Sequence, residues 1–193
     1  MDLGKHKIVG LAGTFASGKD TLAEHLASNY KFMHVSTGNL IREETMEKYG
    51  NTDRPTLVKH ANDMRKERGP GVLVEIAIER YKKRQAEFKG GIVISGIRSI
   101  GEAELLKESG GVLVFVDADI RIRYERAYLR ERDVEASMNF EDFKASEELE
   151  MNKPEGNKVE QNIAGVRRLA DFELTNDEST ELFLETAIKK LEL

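Results

Sequence analysis

Between Lys7 and Tyr30 the chain reads KIVGLAGTFASGKDTLAEHLASNY. An apolar run from Ile8 to Ala12 stops at Gly13, a glycine-bounded loop continues to Gly18, and a helical pattern then begins with Lys19 in its first turn. The expected order is strand, loop, helix. Backbone N–H groups at a helix N-terminus are donors already oriented toward an anion, and they suit an ion with many acceptor oxygens such as a phosphate chain. Gly13 and Gly18 keep side chains out of the way, and Thr14, Ala16 and Ser17 line the loop between them. The GxxxxGK spacing then places Lys19 as a point charge for β and γ phosphates.

The position after the lysine departs from that pattern. A Ser or Thr hydroxyl usually stands there to bind Mg2+, whereas this chain has Asp20 followed by Thr21. A carboxylate beside a triphosphate is repelled unless a cation lies between them. Two readings stay open: Asp20 touches the metal, directly or through water, or it turns away and leaves Thr21 near the metal. A first-turn carboxylate is in any case stabilised by the helix dipole by about 0.3–1 kcal/mol.

With 193 residues the chain has the length of one domain, with or without an inserted flap, and can bury a proper core. Its 39% hydrophobic and 34% charged residues give the composition of a globular protein, and no apolar run approaches the roughly eighteen residues of a membrane span. The opening MDLGKHK is too short before the first strand for a signal peptide. The absence of cysteine excludes disulfides, thiolate metal sites and cysteine nucleophiles, and is compatible with the cytoplasm. A net charge of -5 argues against a broad nucleic-acid-binding face. His6, His25, His34 and His60 show no metal-ligand spacing.

Strand and helix patterns alternate along the chain. A helix is expected over about 19–28, with Leu22, Ala23, Leu26 and Ala27 on one face. A short strand over 32–35 leads to the turn and cap signal Ser36-Thr37-Gly38-Asn39, and a helix follows. Leu57, Val58, Ala61, Met64 and Arg65 mark another helix, stopped by Gly69-Pro70-Gly71, and a further one runs from 72 to about 88. Two uninterrupted apolar runs, 91–95 and 112–116, read as strands covered on both faces, with a helix over 101–108 between them. An arginine-rich helix is expected over 120–133. After Asn139 the pattern becomes acidic and irregular through Lys158, which reads as a flap. The chain rejoins the sheet over 171–175 and ends in a helix over 178–193. The fold class is α/β, a five-stranded parallel sheet with helices on both faces and ligands at the carboxyl ends of its strands.

Those strand ends bring Lys19, Ser36-Thr37, Ser95 to Arg98, and Asp117 to one rim. Arg42 lies within reach of it, and Arg123, Arg126 and Arg130 share a helical face. Phosphoryl transfer needs charge neutralisation and alignment above all, and converging lysine and arginine around a phosphate loop supply both.

The segments LAGTFASGKDTLAEHL, VSTGNLIREE, ISGIRSIGEAELL and VDADIRIRYERAYLRER, in that order, resemble the P-loop nucleoside monophosphate kinases, adenylate kinase in particular. The ending QNIAGVRRLADFELTNDES resembles dephospho-CoA kinases and an archaeal group of adenylate-kinase-like proteins. The resemblance implies a three-layer P-loop NTPase fold with a helical lid and a single domain over 1–193. Residues 37–90 would form the acceptor-binding region and 134–165 the lid. It implies ATP and Mg2+ as cofactors, a small-molecule nucleotide as acceptor, and no nucleic-acid or membrane partner. Thr37, Arg42 and Arg98 would bind the acceptor nucleotide, and Glu102 falls where adenylate kinases read the base with a glutamine. Arg126 would cover the donor adenine, Arg130 the phosphates, and Asn176 would lie in the loop beside that adenine. An ionised Glu102 only accepts hydrogen bonds, which favours guanine, cytosine or adenine over thymine.

Three departures qualify the resemblance. Ser95 stands where an acidic residue usually closes the third strand and supports the Mg2+ shell, so Asp20 or Asp117 would take that role. The lid lacks an arginine pair, leaving Lys144, Lys153 and Lys158 as substitutes. The loop's Asp20 is itself found in phage-type deoxynucleotide kinases with GKDT. Where dephospho-CoA kinases have an aspartate after the second strand, this chain has Ser36 to Asn39. The expected reaction is therefore ATP-dependent transfer to a nucleoside or deoxynucleoside monophosphate. Dephospho-CoA phosphorylation and a regulatory ATPase without an acceptor are the alternatives.

Overall fold

The computed structural model describes residues 7–129, 139–151, 158 and 160–193. Strand β1 (Ile8–Gly13) is followed by α1 (Lys19–Tyr30), β2 (Phe32–Ser36), α2 (Thr37–Tyr49), α3 (Arg54–Arg68) and α4 (Val72–Arg84). Then come β3 (Gly91–Ile97), α5 (Ile100–Glu108), β4 (Val112–Asp117), α6 (Ile120–Leu129), α7 (Phe140–Met151), α8 (Ile163–Leu169), β5 (Phe172–Thr175) and α9 (Thr180–Lys190). The strands form one parallel sheet in the order β2-β3-β1-β4-β5. The expected α/β sheet is present, with β1 at its centre, so the loop after β1 opens where the strand order reverses and ligands bind in such sheets.

Alternation along the strands builds the two faces. Val9, Leu11, Val93, Val114 and Val116 pack against Leu22 and Leu26 of α1 and Phe183 and Ala187 of α9. Ala12, Ile92, Ile94, Leu113 and Phe115 point the other way, onto Leu73 and Ala77 of α4, Leu106 of α5 and Val166 of α8. The inner strands β1, β3 and β4 are buried along nearly their whole length, as strands covered on both faces must be. The outer strands β2 and β5 carry partly exposed positions. No described helix is long and apolar enough to cross a membrane.

Three elements depart from the sequence expectation. Part of the segment read as an irregular flap is α7, started by Asn139, whose side-chain oxygen accepts the Asp142 N–H at 2.9 Å. Its buried face is Phe143 and Glu147, and a stripe half made of a charged residue carries no apolar period. Helix α8 begins inside the expected lid but belongs to the core through Ile163 and Val166. Its seven residues are too few to show a helical period. Helix α4 stops at Arg84, short of the expected 88.

Candidate functional site

The loop from Gly13 to Gly18 carries left-handed backbone at Ala16 (φ 57°) and Gly18 (φ 97°). A side chain at either flanking glycine would strike protein: a Cβ on Gly13 would lie 2.1 Å from the Val116 carbonyl oxygen, and one on Gly18 2.2 Å from Asn176 Nδ2. The glycines thus let β4 and the β5–α9 loop press against the phosphate loop from behind. Asn176 Nδ2 donates to the Ser17 carbonyl at 2.8 Å, and Arg126 Nη2 donates to the Asn176 carbonyl at 2.9 Å. Thr14 Oγ1 donates to Asp117 Oδ1 at 2.7 Å. Ser17 Oγ, Asn176 Oδ1 and Arg126 Nη1 are buried with no protein partner among the described residues. Non-glycine left-handed backbone and orphaned polar atoms concentrate strain at one place, which is characteristic of a ligand site.

Helix α1 starts at this loop without a side-chain cap. Ser36, Asp53, Ser99, Asn162 and Ser179 cap α2, α3, α5, α8 and α9, while α4, like α1, starts at a glycine without a side-chain cap. The first-turn N–H groups of α1 are therefore left for an anion. Lys19 stands in that turn with its side chain 9% exposed and Nζ 3.9 Å from Asp20 Oδ2. Loop and lysine together fit a polyphosphate chain.

The strand ends beside the loop differ in charge. Asp117, at the end of β4, accepts from Thr14, from the Ala118 N–H at 2.9 Å and from Arg167 Nη1 at 3.2 Å, with Arg123 Nε 3.7 Å away. Both its oxygens accept hydrogen bonds, so Asp117 ties the loop to α6 and α8. Asp20 is half exposed and, with Thr21, remains the hard-oxygen position that fits Mg2+, an ion commonly bound by one or two carboxylates plus phosphate and water oxygens. Within β3, two residues before its end, the fully buried Ser95 hydroxyl meets His34 Nε2 at 2.9 Å. Burial lowers the His34 pKa, against the opposing pull of Asp20 and Glu24.

A cleft of about 470 Å3 opens between the loop and α2, α3 and α7. Thr37, Arg42 and Arg98 lie on its wall. Thr37 Oγ1 donates to the Gly96 carbonyl at 2.7 Å, and Arg42 Nη1 to Asn39 Oδ1 at 3.2 Å. The Arg98 guanidinium has no protein partner among the described residues. Glu102 is placed differently from the base reader expected of it. It is fully buried, with Oε1 accepting from Arg65 Nε and Nη2 at 3.1 and 2.7 Å. Oε2 accepts the N–H groups of Arg98 and Ser99 at 3.0 and 3.2 Å, so Glu102 closes a capping box with Ser99. The signature Ser99-x-x-Glu102 announces that cap. Arg65, which does line the cleft, has its own signal: it falls on the buried stripe of α3 after Leu57 and Ala61.

Arg123 and Glu147 form a second buried pair, joining α6 to α7. Arg123 also donates to the carbonyls of Ala118 (2.9 Å) and Phe15 (3.4 Å), so α7 is latched onto the phosphate loop itself. Lys158 pairs with Glu104 on α5 at 2.7 Å, away from the lid role expected of it. Arg130 and Lys153 lie outside the described residues.

The AAA domain family matches the chain over residues 12–144. A UPF0200 protein of Thermococcus kodakarensis is 29% identical over 190 residues, covering 95% of each chain. An adenylate kinase of Caldicellulosiruptor saccharolyticus is 34% identical over 101 residues, 51% of this chain and 44% of that protein. Among solved structures, a shikimate kinase from Bacteroides thetaiotaomicron superposes with a TM-score of 0.59 at 17% identity, over 96% of this chain and 98% of that one. That likeness is one of fold.

Proposed function

We propose, for a chain that belongs to the AAA domain family and to the P-loop nucleoside monophosphate kinase-like superfamily, that its phosphotransfer runs from ATP to a nucleoside or deoxynucleoside monophosphate. The observation that carries this reading is the meeting of an uncapped helix N-terminus and its phosphate-shaped loop with a cleft bearing Arg98 and Arg42. Lys19 and the loop amides hold the transferring group; Arg98 and Arg42 hold the acceptor phosphate. Arg126 and Asn176 close the donor side. Mg2+, held at Asp20 or Thr21, supplies charge neutralisation of the phosphate chain. An acceptor phosphate is already ionised, so these residues need to align it and need not deprotonate it.

Phosphorylation of a hydroxyl, as in dephospho-CoA, asks for a carboxylate base within hydrogen-bond reach. Glu147 faces the cleft, yet it is tied to Arg123, and β2 ends in Ser36 without an acid. A panel of nucleoside monophosphates and dephospho-CoA, each assayed with ATP and Mg2+, tests the proposal. Monophosphate-dependent ADP formation supports it. Turnover with dephospho-CoA alone, or slow hydrolysis indifferent to every acceptor, would overturn it.

A further inference from the structure

Glu102 connects the two ends of the cleft. One of its oxygens fixes the peptide N–H of Arg98, and the other fixes the guanidinium of Arg65 on the α3 wall. Arg65 is 3% exposed, and its side chain is held in one orientation by that pair and by Nη1 donating to Asn62 Oδ1 at 3.4 Å. A guanidinium has five N–H groups and no acceptor. Three are engaged by Glu102 and Asn62, which among the described residues leaves one on Nη1 and one on Nη2. The neighbouring α3 side chains on the cleft wall, Leu57, Val58 and Ala61, offer no hydrogen bond. Among the described α3 side chains that line the cleft, Arg65 is the polar one, and it presents a donor fork; the carboxylate expected to read the base is engaged in holding it.

On the reading that the cleft takes a nucleoside monophosphate, we infer that Arg65 selects the acceptor by accepting only bases that turn carbonyl oxygens toward it, guanine above all. Guanine presents O6 and N7 side by side as two acceptors, the arrangement a fixed guanidinium fork matches; adenine replaces O6 with an amino donor, which meets one tooth of the fork with like polarity. Uracil and thymine carry two carbonyl oxygens, O4 and O2, but the N3–H donor lies between them, so the fork meets one acceptor and these bases fall between. This reverses the preference expected from an ionised Glu102, which disfavours thymine and admits adenine. The residue acts on binding of the base and not on phosphate transfer.

The test measures binding of GMP, UMP, dTMP and AMP to the full chain by titration calorimetry without ATP, and the KM and kcat of each with ATP and Mg2+. GMP is expected to bind at least about tenfold more tightly than AMP, since unpaired polar groups penalise the mismatched base. Arg65→Lys keeps a cation against Glu102 but loses the fork. It should raise the GMP KM about tenfold with kcat and the ATP KM unchanged, and Arg65→Gln, which offers an acceptor as well as a donor, should recover AMP. The melting temperature of Arg65→Lys checks that it is folded. AMP binding as tight as GMP, or a GMP preference untouched in folded Arg65→Lys, would overturn the inference while leaving the kinase reading in place. No binding or turnover of any monophosphate would overturn that reading, and the inference with it.

Discussion

In the phosphate loop, side chains hold backbone; in the acceptor cleft, backbone and carboxylate hold side chains. Asn176, Thr14 and Arg123 each fix a loop residue or its carbonyl, so the donors of the loop are oriented before a ligand arrives. Across the cleft, Glu102 orients Arg65, and Arg98 has a guanidinium with no protein partner among the described residues. A preorganised loop can serve any polyphosphate because it reads an anion through amides. A cleft whose arginines are set individually can discriminate among acceptors. On the proposed function, generic chemistry and specific recognition occupy different regions, joined at Arg123, Glu147 and Phe143 of the α6–α7 pair.

Substitutions should separate the two regions. The largest effect is expected at Lys19→Ala, which should lower kcat by about two to three orders of magnitude, as loss of a preorganised charge partner does. Acceptor affinity, measured without ATP, should stay within about twofold, since the proposed function puts Lys19 on the donor phosphates and not on the acceptor; a matching loss of acceptor binding would break the separation. At the seam, Glu147→Ala leaves Arg123 buried without its carboxylate and should cost about 3 kcal/mol in denaturant unfolding. It should also weaken hydrogen-exchange protection in α7. Arg98→Ala should raise the acceptor KM about thirtyfold, the worth of a charge-assisted hydrogen bond near 2 kcal/mol. The ATP KM should not move.

The smallest effect concerns His34 beside Ser95. Burial lowers its pKa from the ordinary 6.5, so the unfolded chain takes up its proton first as pH falls. The stability this neutral histidine contributes is fully present above pH 6.5 and is lost as pH falls from there through the lower folded pKa. His34→Gln should flatten that part of the melting-temperature profile between pH 7.5 and 5.5 by ~1–3 °C, as a fraction of a kcal/mol does for a domain of this size. An unchanged profile would remove His34 from the explanation.

What could be read from the sequence follows the same division. The loop was legible because its constraint is local: one strand, two glycines and a lysine within a few residues decide it, while only the resemblance to adenylate kinases places Asn176 beside it. The cleft's rim was legible at Thr37, Arg42 and Arg98 because each follows a strand end. Its α3 wall was not, since Arg65 and Glu102 are 37 residues apart and meet only when α3 packs against the start of α5. Glu102 looked like a base reader although its own cap signature pointed to a helix start, and the arginines that pair with Asp117 could not be foreseen because they come from α6 and α8. Helix α7 was read as a flap because an ion pair fills the place where an apolar period would show.

The central claim is that backbone amides between residues 13 and 21 form a receptor for polyphosphate. It is tested most directly by titrating the 15N-labelled protein with a non-hydrolysable ATP analogue and Mg2+ and following amide resonances. Saturable shifts largest over residues 13–21, abolished in Gly13→Ala, whose added Cβ would meet the Val116 carbonyl oxygen at 2.1 Å, are the expected result. A folded protein whose loop amides stay unmoved, or whose shifts centre elsewhere, would contradict it.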